Sequence, residues 1–307
     1  MKIGLCMTVK NEAHNIVDCL EPIIDLFADT VIVDTGSTDK TCELLLDRLG
    51  IRAMKASLND CECSSLAVHR NAGFEQLDTP WIMCLDADER ISRAEMSALV
   101  AMDDEALPEG LFAAWLTDLG NGQLIEDYKL SLFRNGYYKQ GLIHDTVQPS
   151  LRERGGHAIW TDVFKIRHFP DLRKLEQKWH YYEQRLQCAC SRDDSWLRYH
   201  WFRGYMKFRE GDSSAAKTWL EPVHDQRPEL FPVESMNASM LIAAIYAQEG
   251  KTDALKTVLE SSLEYHRFVE HDFEIKVNFR LKPWFVDAIR KLEQGRLDEI
   301  QPYAFPY

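Results

Sequence analysis

Apolar runs alternate with helical patterns along the first third of the chain. Four short segments predict strands, at residues 3–9, 30–33, 51–57 and 81–85, and the continuous apolar run at 3–9 predicts a strand buried on both faces of a sheet. Between them apolar residues recur at helical spacing, Asn11 is of a type that caps helices, and Gly50 is of the type that ends them. Strands that alternate with helices predict an α/β fold with a doubly wound, mostly parallel sheet.

The pattern changes after residue 110. Residues 111–119, 123–133 and 160–168 indicate strands that extend the sheet, and from Asp171 onward the spacing is helical. Three residues of this region lie twelve positions apart: Gly204, Ala216 and Pro228. This spacing matches three small-residue positions of a tetratricopeptide repeat. A plain helical bundle is the alternative. Five apolar residues of this region are expected between helix pairs: Leu220, Leu241, Ile245, Leu255 and Leu259. The predicted domains are 1–170, an α/β sheet, and 171–307, helical and repeat-like.

Charge and cysteine usage exclude several classes of protein. The 307 residues carry a net charge of −13, whereas proteins that bind nucleic acid through its phosphates are usually basic. No apolar run reaches the ~20 residues of a membrane helix, although peripheral contact with a membrane stays open. None of the eight cysteines forms a C-x-x-C pair, so reduced core thiols are favoured over a zinc site. We expect a cytoplasmic protein without a nucleic-acid partner.

Two acidic loops follow predicted strands. Asp34 opens the loop that ends at Asp39, and Asp86 and Asp88 follow the run at 81–85. Ligands of doubly wound sheets bind at the carboxyl ends of the strands. Two carboxylates one residue apart can hold a hard divalent cation, whose remaining positions substrate phosphates often fill. The alternative is a solvated turn with helix-capping carboxylates.

Three motifs, in their order and separation, resemble those of the family 2 glycosyltransferases, whose fold is called GT-A. They are Met7-Thr-Val-Lys-Asn-Glu12, Val33-Asp-Thr-Gly-Ser-Thr-Asp39 and Leu85-Asp-Ala-Asp-Glu89. The resemblance covers residues 1 to about 170. It implies inverting transfer of a sugar from a nucleotide-sugar donor, with UDP favoured, to a saccharide or peptide acceptor. It also implies Mn²⁺ or Mg²⁺ as the cofactor.

Further segments are similar to one subgroup of that family. They are Lys129-Leu-Ser-Leu-Phe-Arg-Asn135, Gly141-Leu-Ile-His-Asp145, Ile166-Arg-His-Phe-Pro170 and the pair Arg70-Asn71. Asp145 and Pro170 depart from the Glu and Gly of the subgroup. It contains lipopolysaccharide-core glucosyltransferases and peptide S-glycosyltransferases with tetratricopeptide-like tails. The C-terminal helices are therefore expected to dock the acceptor or to form a homodimer.

The resemblance also implies roles for single residues. The nucleotide is expected to contact Thr8, Asn11, Glu12, Asp34, Ser37, Arg70 and Asp86. Asp34 would accept from the base or ribose, and Arg70 would bind the diphosphate, as guanidinium groups do. The expected metal ligands are Asp86, Asp88 and His168, with the ribose as an alternative partner of Asp86.

Inversion requires a base that takes a proton from the acceptor. Asp145 is the favoured candidate, with His144 beside it. Asp127 is the rival, since Glu126-Asp127 resembles the E-D motif of other family members. Both carboxylates also have an interpretation as ordinary loop residues.

Two other functions stay open. A nucleotidyltransferase or pyrophosphorylase-like enzyme commonly has a Gly-rich phosphate loop after its first strand, and residues 8–14 contain no glycine. A non-catalytic scaffold would bind a protein partner through helical repeats. It predicts decayed acidic motifs, whereas those of this chain are intact.

Overall fold

The computed structural model describes residues 1–56, 65–120, 122, 124–171, 175–193, 195–227, 230–272, 281–303 and 305. It divides into two compact units, Met1–Glu176 and Gln177–Phe305. The first unit contains the sheet and the second is helical. The predicted domain limits, 1–170 and 171–307, stay a prediction.

The first unit alternates strands and helices as far as residue 100. Its described strands are β1 (Ile3–Val9), β2 (Asp29–Asp34), β3 (Met54–Lys55), β4 (Trp81–Cys84), β5 (Glu89–Arg90), β6 (Gly110–Asp118), β7 (Leu124–Arg134) and β8 (Ala158–His168). Its described helices are α1 (Ile16–Leu20), α2 (Thr41–Leu49), α3 (Leu66–Phe74), α4 (Arg93–Val100) and α5 (Gln148–Glu153), with a 3-10 helix at Ile24–Leu26.

These eight strands form one mixed sheet in the order β3-β2-β1-β4-β7-β6-β8-β5. The early strands β3, β2, β1 and β4 pair in parallel. Strand β7 runs antiparallel to β4 and β6, β8 runs parallel to β6, and β5 runs antiparallel to β8. The predicted α/β class with a helical C-terminal region is confirmed, and the antiparallel pairs all involve the strands that extend the early sheet.

Strand β1 is buried on both faces, as its continuous apolar run predicts. Ile3, Leu5, Met7 and Val9 belong to the larger apolar core, whereas Cys6 packs with Phe74 in the smaller one. Helix α3 lies very close to this second face, because a Cβ at Gly73 would be 2.6 Å from the Cys6 Sγ. Gly73 therefore permits α3 to pack closely on β1.

Two local predictions are corrected. Strand β3 covers only Met54–Lys55, with residue 57 outside the described residues. Asn11 does not cap α1, which begins at Ile16. Its backbone is left-handed, with φ 58°, and asparagine tolerates that conformation better than most residues. Its side chain bonds the loop after β2 instead.

The second unit is a succession of helices, of which α7 to α11 each pack on the next in sequence. They are α6 (Leu175–Arg192), α7 (Leu197–Arg209), α8 (Ser213–Gln226), α9 (Pro232–Gln248), α10 (Thr252–Asp272) and α11 (Leu281–Glu293), followed by a 3-10 helix at Leu297–Glu299. Within the described residues, none of the helices has the length and apolar character needed to cross a membrane.

The predicted interhelical residues of the second unit are buried. Leu220 and the four others predicted with it have 0% exposure. Gly204 permits the close approach of α7 and α8, because a Cβ there would lie 2.5 Å from Leu220. Pro228 lies outside the described residues. Helix packing is therefore confirmed at these positions, while the tetratricopeptide character stays a prediction.

Candidate active site

Hydrogen bonds join the loops that follow β1 and β2 into one surface. The Oδ1 of Asn11 accepts from the Thr38 N–H (2.8 Å), and the Asn11 N–H donates to the Ser37 hydroxyl (2.9 Å). The Glu12 N–H donates to the Thr41 hydroxyl (2.8 Å). These bonds hold the loops together at the carboxyl edge of the sheet. Contact of Asn11, Glu12 and Ser37 with a nucleotide stays a prediction.

Two further residues predicted to contact the nucleotide lie at the ends of these strands. Asp34 ends β2, is 4% exposed, and accepts from the Ser37 N–H (3.0 Å). The Thr8 hydroxyl in β1 is buried without a hydrogen-bond partner among the described residues. A buried polar group without a partner is costly, so this hydroxyl retains a capacity to bond a ligand.

The turn after β4 is closed by reciprocal hydrogen bonds. The Asp86 N–H donates to the Glu89 Oε2 (2.9 Å), and the Glu89 N–H donates to the Asp86 carbonyl (3.0 Å). Glu89 begins β5 and is fully buried. Asp86 and Asp88 therefore project from a fixed turn.

Two basic side chains, those of Arg70 and Lys129, form salt bridges with the carboxylate of Asp86. Arg70 Nη2 lies 3.0 Å from its Oδ1, and Lys129 Nζ lies 2.7 Å from its Oδ2. Lys129 also bonds the Glu89 Oε1 at 2.6 Å. Burial acts to raise the pKa of Asp86, but the charges of Lys129 and Arg70 outweigh it and hold this pKa well below its usual range. Asp86 is thus an ionised member of an ion network.

Strand pairing brings His168 to Asp88. His168 lies opposite Glu89 in the β5–β8 ladder, and its Nε2 is 3.5 Å from the Asp88 Oδ2. The other ring nitrogen, Nδ1, is 3.0 Å from the Thr117 hydroxyl, and the ring stacks on Trp115 with centroids 4.6 Å apart. This environment fixes the ring and directs Nε2 toward the carboxylate, as is usual for ligating histidines.

The three predicted metal ligands fit a divalent cation unequally. Asp88 and His168 offer an oxygen and a nitrogen side by side, and both donors suit Mn²⁺. In this arrangement Asp86 is not available as a metal ligand, because Arg70 and Lys129 bind its two carboxylate oxygens. Within the described residues, no three acidic, histidine or cysteine side chains gather as a metal-binding group.

Asp145 lies in a buried ionic contact. Its side chain is 3% exposed, and Arg70 Nη1 lies 2.6 and 2.7 Å from its two oxygens. Lys139 Nζ binds it at 3.1 Å, and Asn71 bonds both the N–H and the carbonyl of Lys139. His144 beside it is left-handed, with φ 50°. The catalytic role of His144 stays a prediction.

The environment of Asp145 disfavours its predicted role as the general base. Burial acts to raise its pKa, but Arg70 and Lys139 lower it to about 2. An efficient base has a pKa near the working pH and must reach the substrate. Arg70 and Lys139 instead hold this carboxylate away from solvent.

The rival base, Asp127, lies on the same face of the sheet as His168. It lies opposite Trp115 in the β6–β7 ladder, and directly opposite residues of a ladder share a face. Trp115 stacks on His168, and Lys129, two residues along the strand from Asp127, has its Nζ 5.9 Å from the centroid of the Trp115 ring. Asp127 is therefore on the same face as these groups.

We expect the stability of the protein to depend on Asp145 in acid. The pKa of this carboxyl is lowered on folding, so its contribution is present above its unfolded pKa of 3.8 and is lost as the pH falls toward about 2. A shift of this size is worth about 2 kcal/mol. Denaturant unfolding should show the difference in free energy between wild type and Asp145→Asn narrowing by about that amount over this range. A difference that is independent of pH would contradict the ionic contact.

The family model for glycosyl transferase family 2 matches residues 5–159. The chain belongs to this family. The family 2 chain is also 26% identical over 279 residues to a TPR repeat-containing protein of Synechococcus elongatus, covering 86% of this chain and 66% of that protein. It thus spans just under two thirds of the length of that relative.

Solved structures give weaker similarities to the family 2 chain. The structure of S. aureus TarS 1-349 with UDP-GlcNAc matches with a TM-score of 0.47 and 14% identity, over 97% of this chain and 90% of that one. GalNAc-T7 with UDP, GalNAc and Mn²⁺ matches with a TM-score of 0.40 and 13% identity, over 55% and 44%. Because these scores are low, family membership rests on the family match.

Proposed function

We propose that this family 2 member transfers a sugar from a nucleotide-sugar donor to a saccharide or peptide acceptor, with inversion and with Mn²⁺ or Mg²⁺. The observation that carries the proposal is the position of Asp34 and of the Asp86–Asp88 turn. Asp34 ends β2 and the Asp86–Asp88 turn comes after β4, and both strands pair in parallel with β1, so both lie at the edge where such sheets bind ligands. Both also lie inside the segment that the family model matches.

The donor contacts are assigned by charge and position. Asp34 would accept from the base or ribose, with the Thr8 hydroxyl nearby in β1, and UDP is favoured through the resemblance of the motifs. Arg70 would bind the diphosphate, because its guanidinium is a planar donor. Asp145 and Asp86 hold that guanidinium from two sides. We therefore assign Asp145 to orienting Arg70 rather than to proton transfer.

Asp88 and His168 would hold the divalent cation, which when bound would neutralise negative charge on the leaving diphosphate. Asp127 would serve as the base. It takes the proton of the acceptor nucleophile while that atom bonds to the anomeric carbon, and the bond from this carbon to the diphosphate oxygen breaks on the opposite side. The side chain of Asp127 belongs to the face that carries His168 and Lys129.

The C-terminal unit enters the proposal as an acceptor-docking or dimerisation element with tetratricopeptide-like packing. Three observations support this assignment: helices α7 to α11 each pack on the next in sequence, α7 and α8 approach closely at Gly204, and the relative from S. elongatus is named for TPR repeats. Stacked helix pairs of this kind present extended binding surfaces.

We expect Asp34→Ala to weaken nucleotide binding more than it slows the chemical step. Loss of one bond to a charged acceptor costs about 1.5–3 kcal/mol, so the Kd for the preferred nucleotide should rise about tenfold or more. Calorimetry with UDP, GDP and CMP in the presence of Mn²⁺ measures the effect. Asp47→Asn, on the exposed face of α2, is the control. Wild-type affinity for all three nucleotides in Asp34→Ala would refute the assignment of Asp34.

The proposal as a whole is tested by a thermal-shift screen of the full chain against UDP-, GDP- and CMP-sugars with Mn²⁺. A bound ligand raises the melting temperature by mass action. We expect one class of nucleotide sugar to stabilise the protein in Mn²⁺ and not in EDTA. A scaffold without donor binding would show no shift with any of them.

A further inference from the structure

The innermost carboxylate of the ion network has no role in the proposed reaction. Glu89 is fully buried, and its two oxygens bind different partners. Oε2 accepts from the Asp86 N–H at 2.9 Å, and Oε1 accepts from Lys129 Nζ at 2.6 Å. A buried charge is tolerated only when it is paired and hydrogen-bonded, and Glu89 meets both conditions through neighbours of the candidate donor site.

Lys129 links this carboxylate to the side chain of Asp86. Its Nζ bonds the Asp86 Oδ2 at 2.7 Å, while Arg70 binds Oδ1 at 3.0 Å. The Asp86 carboxylate is thereby fixed from two sides, and its backbone is fixed by Glu89. Lys129 is itself 20% exposed and comes from β7, a strand next to β4 in the sheet.

Glu89 also lies where the orientation of Asp88 is set. In the β5–β8 ladder it is opposite His168, and the next N–H, of Phe169, donates to the Asp88 carbonyl at 2.8 Å. Strand β5 therefore presents Glu89 to Lys129, and the bond from Phe169 holds Asp88, the residue before β5, beside His168. A displacement of Glu89 would be transmitted to both carboxylates of the turn.

We propose that the buried Glu89 and the half-buried Lys129 form a positioning pair that holds the turn so that Asp86 faces Arg70 and Asp88 faces His168. The desolvation of a buried ion pair offsets most of its attraction, so the consequence of this pair is the geometry it imposes rather than net stability. Groups behind a binding site commonly orient those that touch the ligand. The inference rests on the proposed function, since it assigns Glu89 and Lys129 to the donor site.

The test compares Glu89→Gln and Glu89→Asp with wild type. The first keeps the size of the side chain and removes its charge, and the second keeps the charge but is too short to reach Asp86 and Lys129 together. Glu95→Gln, in the next helix, is the matched control, because Glu95 bonds Ser92 and Arg167 outside the network. Calorimetry with UDP, GDP and CMP in Mn²⁺ and in EDTA gives the affinities, and circular dichroism verifies the fold.

We expect both Glu89 variants to lose about 10–100-fold in Mn²⁺-dependent nucleotide affinity, with the affinity in EDTA much less changed and Glu95→Gln at wild-type values. If Glu89→Gln unfolds, the double variant Glu89→Gln with Lys129→Met removes both charges of the pair and should show the same loss of affinity. A folded Glu89 variant with wild-type Mn²⁺-dependent affinity overturns the inference. Absence of nucleotide binding by the wild type would instead overturn the proposed function.

Discussion

Asp88→Asn is expected to reduce Mn²⁺-dependent sugar transfer or donor hydrolysis by about a thousandfold or more. Asp88 supplies the oxygen donor that faces His168 Nε2, and a neutral amide is a poorer ligand than a carboxylate for a hard cation. A metal on the leaving group is worth several kcal/mol of transition-state stabilisation, and every 1.36 kcal/mol is a factor of ten in rate.

The same substitution should leave the fold intact. Asp88 projects from a turn that the backbone and side chain of Glu89 hold closed, and substitutions at turns outside the core usually change stability little. Initial rates across a Mn²⁺ titration, with circular dichroism as a control for folding, measure the effect. Asp47→Asn should behave as wild type. If Asp88→Asn retained a tenth of the wild-type rate at the same Mn²⁺ concentration, the metal assignment would be refuted.

Asp127→Asn is expected to lower kcat by about a hundredfold to ten-thousandfold, the range for loss of a general base. Nucleotide affinity should stay within twofold of wild type, because none of the proposed donor contacts involves Asp127. This separation of kcat from affinity is the signature of a group that acts on the acceptor rather than on the donor.

Comparing Asp145→Asn with Asp127→Asn tests which of the two carboxylates is the general base. It leaves Arg70 and Lys139 without their shared carboxylate, so we expect lower stability and weaker nucleotide binding. The rate of turnover by the folded, saturated enzyme should change much less than in Asp127→Asn. If Asp145→Asn lost turnover at unchanged affinity while Asp127→Asn kept it, the two assignments would have to be exchanged.

The early sheet could be predicted from sequence because its central strands, β1 and β4, are buried on both faces. Continuous apolar runs such as those of β1 and β4 mark such strands directly, and Gly50 ends α2 in the left-handed conformation that glycine favours. Helix α4 was missed although its signal was present. Ser92 and Glu95 form a capping box at its start, which is the S-x-x-E pattern of a helix N-terminus.

The ion network could not be predicted in the same way. Glu89 and Lys129 lie in motifs that the sequence singled out, yet no pattern shows that strand pairing brings their side chains together across 40 residues of chain. Lys129 inside β7 is the one signal for this network in the sequence, because a lysine that is partly buried in a sheet usually needs a partner of opposite charge. Asp145 was assigned to catalysis for the same reason: its contacts with Arg70 and Lys139 depend on tertiary packing and not on spacing.

Hydrolysis of a panel of UDP-, GDP- and CMP-sugars by the full chain, with Mn²⁺ or with EDTA, tests the central claim most directly. The released nucleotide can be measured without knowing the acceptor, because water takes the place of the acceptor in this hydrolysis. The account predicts slow release from one class of donor in Mn²⁺, suppressed by EDTA and by Asp88→Asn. No release from any donor, or release that is equally fast in EDTA, would contradict a metal-dependent nucleotide-sugar transferase.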